Sequence, residues 1–189
     1  MLNTARLRLR EWGEADAAPL TCLFADAQVM RYFDATRDAA FSARWIAGVR
    51  DHFARRGFGI WAVEAPGVAA FIGFVGLSEV PATMPGCPGV EIVWTLAAAH
   101  WRRGYASEAA AAAMADGFGR LGLAEIVAFT AAVNAPSRQV MHRLGMRHDP
   151  REDFDHPRIA PENALCRHVI YRAAPPGRAG AGASKLVDH

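Results

Sequence analysis

The stretch ARLRLREW, residues 5–12, alternates apolar and charged residues: Leu7 and Leu9 sit between Arg6, Arg8 and Arg10. A period of two predicts a half-exposed strand. GEADAAPLTCLFAD then shifts to a helical period, with acidic residues early and Leu20, Leu23 and Phe24 on one face. Phe41, Trp45, Val49 and Phe53 recur every four residues, predicting a second amphipathic helix that ends at Arg55-Arg56-Gly57. Strand GIWAVE, turn APGVA and strand FIGFVGLSEV follow. The loop PATMPGCPG holds three prolines and two glycines in nine residues, which forbids a regular element. VEIVWTL reads as a short, largely buried strand. The next helix presents Ala110, Met114, Phe118 and Leu121 as its apolar face, and EIVAFTAAV is a further buried strand. PSRQVMHRLG is a short helix stopped by Gly145. RHDPREDFDHPRIAPENAL is a long polar loop, and CRHVIYRAA closes as a strand.

The order β-α-α-β-β-β-α-β-α-β predicts a single α/β domain around a mixed sheet, over residues 1–174. PPGRAGAGASKLVDH, residues 175–189, is expected to be a flexible Gly/Ala/Pro-rich tail. The length of 189 residues is enough to bury a sizeable core, and 52% apolar with 21% charged residues is ordinary globular composition. A formal charge of +2, from 21 basic and 19 acidic residues, argues against a nucleic-acid protein that neutralises many phosphates. Cys22, Cys87 and Cys166 are odd in number and widely spaced, so reduced thiols are expected and no zinc or redox motif is present. The apolar tract from Phe58 to Leu77 is broken by Glu64 and Pro66-Gly67, which favours a hairpin over a membrane span. The N-terminus lacks the continuous apolar run of a signal peptide, so a soluble, cytoplasmic protein is expected.

One junction carries candidate chemistry. In HWRRGYASEAAAAAM, residues 100–114, an arginine pair and a glycine precede an alanine-rich helix. The first turn of a helix leaves N–H groups without partners, and its dipole adds positive potential. Ser107 is followed three residues later by Ala110, so no capping box exists. Gly104 allows close backbone approach, and Arg102 and Arg103 add charge. Together they describe either an anion cradle or a solvated loop. GFGRLG, with Gly117, Gly119 and Gly122, has the dinucleotide spacing but closes a helix instead of opening one, so its glycines are read as helix-end and turn residues.

WRRGYASEA, preceded by VEIVWTL and followed by NAPSRQVMHRLGM, resembles the acetyl-CoA-binding core of the GNAT N-acetyltransferases, in particular the RimJ/RimL-like branch. TARLRLREW fits that branch as well. The likeness runs over roughly residues 3–173 and is most specific at 91–108 and 134–146. It implies the GNAT fold, a mixed, mostly antiparallel central sheet flanked by helices. It also implies acetyl-CoA as co-substrate, with no metal. Its pyrophosphate would lie on backbone amides of Arg102, Arg103, Gly104, Tyr105, Ala106 and Ser107. The strand at Trp94, Thr95 and Leu96 would hold the pantetheine arm between two splayed strands, and Asn134 would bond to the same arm. The chain departs from the general family pattern at Trp101, where Gln or Arg is usual although tryptophan is common in the RimJ/RimL-like branch, and at Met141, where a tyrosine often acts as general acid.

Acetylation of an amine needs a base for the nitrogen, donors for the oxyanion, and a proton for the leaving thiolate. Glu91 is the sole charge in VEIVWTL and is the candidate base; its plain alternative is a strand-end acid in solvent or an ion pair. Ser137, three residues after Asn134, stands near the coenzyme sulfur in RimL-like enzymes and could serve the thiolate, or could merely cap its helix. The oxyanion donor is expected to be a backbone N–H of residues 94–96. In DPREDFDHP, Asp153 and His156 could border the acceptor pocket, with Phe33 at its mouth, or the loop could simply be solvated. The resemblance implies direct transfer to a primary amine. The acceptor stays open between a protein N-terminus and a small amine such as a polyamine, amino sugar or antibiotic, as does a non-catalytic acyl-CoA-binding role. A monomer or homodimer is expected, with no nucleic-acid or membrane partner.

Overall fold

A computed structural model describes residues 1–177. Most of the expected tail lies outside the described residues. The chain begins with two short strands, β1 (Leu2–Asn3) and β2 (Arg8–Arg10). Helices α1 (Ala17–Ala25), α2 (Ala27–Met30) and α3 (Ala39–Arg56) follow, and then strands β3 (Ile60–Ala65), β4 (Ala69–Glu79) and β5 (Val90–Leu96). The second half holds α4 (Tyr105–Gly119), β6 (Ile126–Ala131), α5 (Ala135–Arg143), β7 (Arg147–His148), β8 (Phe154–Asp155) and β9 (Arg167–Ala173). The sheet runs β1-β2-β3-β4-β5-β6-β9-β7, with β8 also on β9. Every pairing is antiparallel except β5 with β6. The mixed, mostly antiparallel sheet is the one the sequence predicts.

Strand alternation sorts the core into two layers. On one face Ile92, Leu96, Ile126, Ala128, Val169 and Tyr171 pack against α4 and α5 through Ala109, Ala110, Ala113, Met114 and Met141. The alanines let α4 sit close to the sheet. On the other face Ala62 and Phe74 receive Leu20, Leu23, Phe24, Ile46 and Val49 of α1 and α3. Further along that second face, Val127 and Ile170 are covered by Val80, just after β4, and Met84 of the Pro/Gly-rich loop.

The alternation of ARLRLREW has the expected result: Leu7 and Leu9 are buried, while Arg8 pairs with Glu64 at 3.1 Å and Arg10 with Asp16 at 2.7 Å. Helix α3 starts at Asp38, whose side chain accepts from Phe41 N at 2.7 Å, and ends at Gly57 in the left-handed conformation (φ +73°). GFGRLG is divided as read: Gly117 lies inside α4, and Gly122 turns the chain with φ +66°. An added Cβ at Gly117 would come within 2.9 Å of Leu77 and Ile126, so close helix–sheet packing accounts for that glycine.

Two regions differ from the sequence expectation. The first helix is preceded by a 3₁₀ turn at Glu14–Asp16 and gives way to α2 at Asp26, which is extended and caps Gln28 N at 2.8 Å. The long polar loop holds β7, β8 and a 3₁₀ turn at Pro150–Glu152. A His148–Asp153 contact at 2.7 Å and the Glu152–Arg172 ion pair tie this segment down. Two-residue strands fixed by charge leave no apolar period to read.

Candidate functional site

The central feature is a gap in the sheet. Strands β5 and β6 are parallel neighbours, yet their register holds a single pair, Glu91 with Val127. Beyond it they part. On its other edge β5 pairs with β4 along its whole length, up to Leu96 with Gly73. Strand β6 likewise stays paired with β9 from Ile126 to Ala131. Residues 94–96 therefore have a strand on one side only, and buried backbone groups left that way need a partner. Thr95 and Leu96 are buried, and Trp94 is half-buried against the α4 layer.

At the open end the chain turns into α4. Trp101 donates its indole N–H to Leu96 O at 2.7 Å, so the residue that departs from the family pattern ties the loop to the strand end. Arg102 adopts φ +60°, rare for a residue with a side chain, and Gly104 adopts φ +77°. No side chain caps α4. Arg102 and Arg103 are exposed and have no ion-pair partner among the described residues. Two buried atoms here lack any partner among the described residues, Ser107 Oγ in the first turn and His100 Nδ1 in the loop. The His100 imidazole is pushed below its ordinary pKa by burial and then by the Arg103 cation. Open N–H groups, an orphaned hydroxyl and two unpaired cations thus meet at the first turn of α4.

This turn into α4 is braced from a place the motif does not reveal. Thr4 Oγ1 donates to Glu108 Oε1 at 2.6 Å, and Arg6 Nε donates to Glu108 Oε2 at 2.7 Å. Arg6 Nη1 also donates to Arg103 O at 2.9 Å, and its guanidinium lies 4.8 Å from the Tyr105 ring centroid. Burial pushes the Glu108 carboxyl up, but the Thr4 and Arg6 hydrogen bonds outweigh it and hold the group below its usual range. Its charge is thus spent on Arg6 rather than on the helix terminus.

Glu91 lies at the closed end of the gap, opposite Ser78 on β4 and Val127 on β6. It makes no ion pair or side-chain hydrogen bond among the described residues, so the ion-pair alternative does not hold. Desolvation alone raises its pKa from 4.5 to about 7. Strand alternation puts Glu91 on the face away from Ile92, Leu96 and α4. It shares that face with Val127, Phe129, His168 and Ile170.

Asn134 caps α5, its Oδ1 accepting from Ser137 N at 3.3 Å while its Nδ2 donates to Thr130 Oγ1 at 2.9 Å. The cap is Asn134, not the Ser137 side chain, whose hydroxyl has no partner among the described residues. Met141 is 1% exposed in the α4/α5 layer and is core.

The remaining candidates divide. His156 ring-packs on His168 with centroids 4.8 Å apart, and it feels the charge of Asp34, the neighbour of exposed Phe33. Phe33 and His156 are therefore brought to one side of the molecule. Asp153 is not with them: it pairs at 2.7 Å with His148, which stacks on Tyr171 at 4.8 Å on the α4/α5 face. His168 is buried on the Glu91 face; in sequence, a histidine in the closing strand reads more readily as a satisfied strand residue than as a base. Among the described residues no His/Cys/Asp/Glu group is placed to hold a metal, and no helix is long and apolar enough to cross a membrane. A groove of about 1400 Å³ lies on the opposite face from Glu91, between α4, the end of α5 and Pro175-Pro176, and reaches Ser107.

A sheet opened between two parallel strands, with an uncapped helix at its mouth, is the arrangement that the resemblance to the GNAT acyltransferases implies. Residues 6–147 match the family model described as acetyltransferase (GNAT) domain, and the chain belongs to that family. It is 31% identical over 182 residues to the FsC-acetyl coenzyme A-N(2)-transacetylase of Aspergillus fumigatus, covering 90% of this chain and 76% of that one. It is 30% identical over 148 residues to the protein YkkB of Bacillus subtilis, covering 78% of this chain and 85% of that one. Among solved structures, a ribosomal-protein-S5-alanine acetyltransferase from Vibrio fischeri shares the fold at TM-score 0.73 and 14% identity, over 93% of this chain and 96% of that one. The chain is an N-acetyltransferase.

Proposed function

We propose that the chain transfers acetyl from acetyl-CoA directly to a primary amine that approaches the gap from the Glu91 face. The observation that carries this reading is the parting of β5 from β6 just beyond Glu91, with the uncapped α4 terminus at the far end. The residues present fit the co-substrate. The amides of Arg102 to Ser107 would take its pyrophosphate, with the Ser107 hydroxyl as an added donor and the two arginines as counter-charge. The free edge of Trp94, Thr95 and Leu96 would take the pantetheine as an added strand, and the half-buried Asn134 side chain borders the other side. Acetyl-CoA supplies the thioester carbonyl.

The chain's own groups then divide the work. A carboxylate whose pKa stands near 7 is half ionised at neutral pH, and Glu91 is therefore poised to take a proton from the attacking nitrogen, directly or through a water. A backbone N–H on the free edge of residues 94–96 faces the carbonyl oxygen. Ser137, with its unengaged hydroxyl, serves the departing sulfur in place of the tyrosine absent at Met141.

For the acceptor, the exposed Phe33 beside the His156 loop supports a side open to a bulky partner such as a protein N-terminus. The Aspergillus relative, whose name gives an N(2) position of FsC as its target, supports a small-molecule amine instead. Either acceptor suits a cytoplasmic enzyme. Thiol release from acetyl-CoA, screened over peptides, polyamines and amino sugars, tests the reading. Release with one class identifies the acceptor, and no release with any primary amine contradicts direct transfer.

A further inference from the structure

His168 is left over from this scheme, and its surroundings are unlike those of a core strand residue. It stands at the open end of the gap, opposite Ala131 in register, on the face it shares with Glu91. Its ring lies 5.6 Å from the Phe154 centroid and 4.8 Å from that of His156, and it is 8% exposed. Nδ1 is 3.1 Å from Cys166 O. A carbonyl can only accept, so the proton of the neutral ring sits on Nδ1 and Nε2 is a bare lone pair. Nε2 has no partner among the described residues, and it is not among the buried atoms sealed from solvent. The titratable and charged groups around it are His156, with Arg158 and Asp34 beside His156, and the Arg167–Asp155 pair of β9 and β8. Burial, and after it the His156 charge, push the imidazole below its ordinary pKa against the raising pull of the Cys166 and Leu165 backbone.

Proton counting shows what such a group could do. A primary amine reaches a neutral solution as an ammonium. To become an amide its nitrogen loses two protons while an N–C bond forms and the C–S bond breaks. One proton ends on the sulfur as thiol, and the other leaves the enzyme. Glu91 is one carboxylate, at the closed end of the gap.

We propose that His168 is a second proton acceptor on the amine side, taking through Nε2 the proton an incoming ammonium must lose before it attacks. This rests on the transfer reading above. That first proton passes from Nε2 to solvent at the open end of the gap. The second goes to Glu91 during attack and returns by water to the departing sulfur, so both groups end as they began. The cation is then recognised by a neutral imidazole rather than by a standing carboxylate.

Two measurements test this. A long-range ¹H–¹⁵N spectrum of the unmodified protein at neutral pH should show His168 neutral with its proton on Nδ1. An imidazolium, or a proton on Nε2, overturns the proposal without any assay. Kinetically, H168Q should lower kcat/KM for the amine by ~10²-fold at neutral pH, within the usual worth of a positioned base. The Kd for CoA should be unchanged, and the deficit should shrink as pH approaches the amine's own pKa, where the substrate arrives already neutral. A deficit equal at every pH, or none, overturns it. No thiol release by the unmodified protein strikes the transfer reading instead. Should H168Q fail to fold, the spectrum and the pH profile of H168N decide.

Discussion

The two ends of the gap are built from different kinds of sequence. The donor end is contiguous: residues 94–107 run from the free strand edge through the loop into the first turn of α4. The acceptor end as proposed would be assembled from Phe33 and Asp34 after α2, Glu91 on β5, and His156 and His168 around β8 and β9. Backbone groups make the first, and side chains from separate elements make the second. A backbone site tolerates substitution of most of its side chains, whereas a side-chain site is lost one residue at a time.

That difference orders the expected effects. Glu91→Gln should lower kcat by ~10²–10⁴-fold, the usual range for a positioned base, with the Kd for CoA near normal. Unchanged turnover would remove Glu91 from the chemistry. The same variant should flatten the pH profile, since the wild-type rate should climb as the carboxyl ionises through about 7. Stability has the opposite sign. A carboxyl raised from 4.5 to about 7 in the folded state favours folding fully below 4.5 and loses that contribution as pH rises through 7. Urea midpoints of wild type should therefore fall between about pH 5 and 8 relative to those of Glu91→Gln. Midpoints that track each other would mean that Glu91 is not desolvated.

At the donor end the largest effect should come from backbone shape. Gly104→Val places a branched side chain at φ +77°, where its Cβ would also meet Arg6 at 3.3 Å. A cost of ~1–2 kcal/mol for left-handed backbone, and displacement of the amides, should weaken CoA binding by ~10-fold in calorimetry. Normal affinity would mean that the loop does not carry the phosphates. Arg103→Ala should cost less, ~0.3–1 kcal/mol, and more at low salt than at high salt. Phe33→Ala should be smallest, raising KM for the acceptor while leaving CoA affinity alone. An equal change in both would join the two ends that the geometry separates.

The same contrast explains what could be read from the chain. The motif WRRGYASEA and the partner strand VEIVWTL are local, and the helix start and the strand they predict are found where the sequence places them. The period-two and period-four patterns placed β2 and α3 for the same reason. The cap of α5 is Asn134, where the sequence offers Ser137. What escaped depends on contacts across the chain. Arg6 and Thr4 reach Glu108 over about a hundred residues, and no local pattern marks them. The folding of residues 147–156 into short strands rests on single ion pairs, so Asp153 looked free for a ligand when His148 already holds it. His168 sits in an apolar strand like any inward residue, and only the ring of His156 and the carbonyl of Cys166 distinguish it.

The central claim is that acetyl-CoA lies across the free edge of β5 and ends on the first turn of α4. Amide hydrogen exchange, with and without saturating acetyl-CoA, tests it residue by residue. The account predicts slowed exchange within residues 94–96 and 102–107 on binding. Binding that protects neither segment would contradict it.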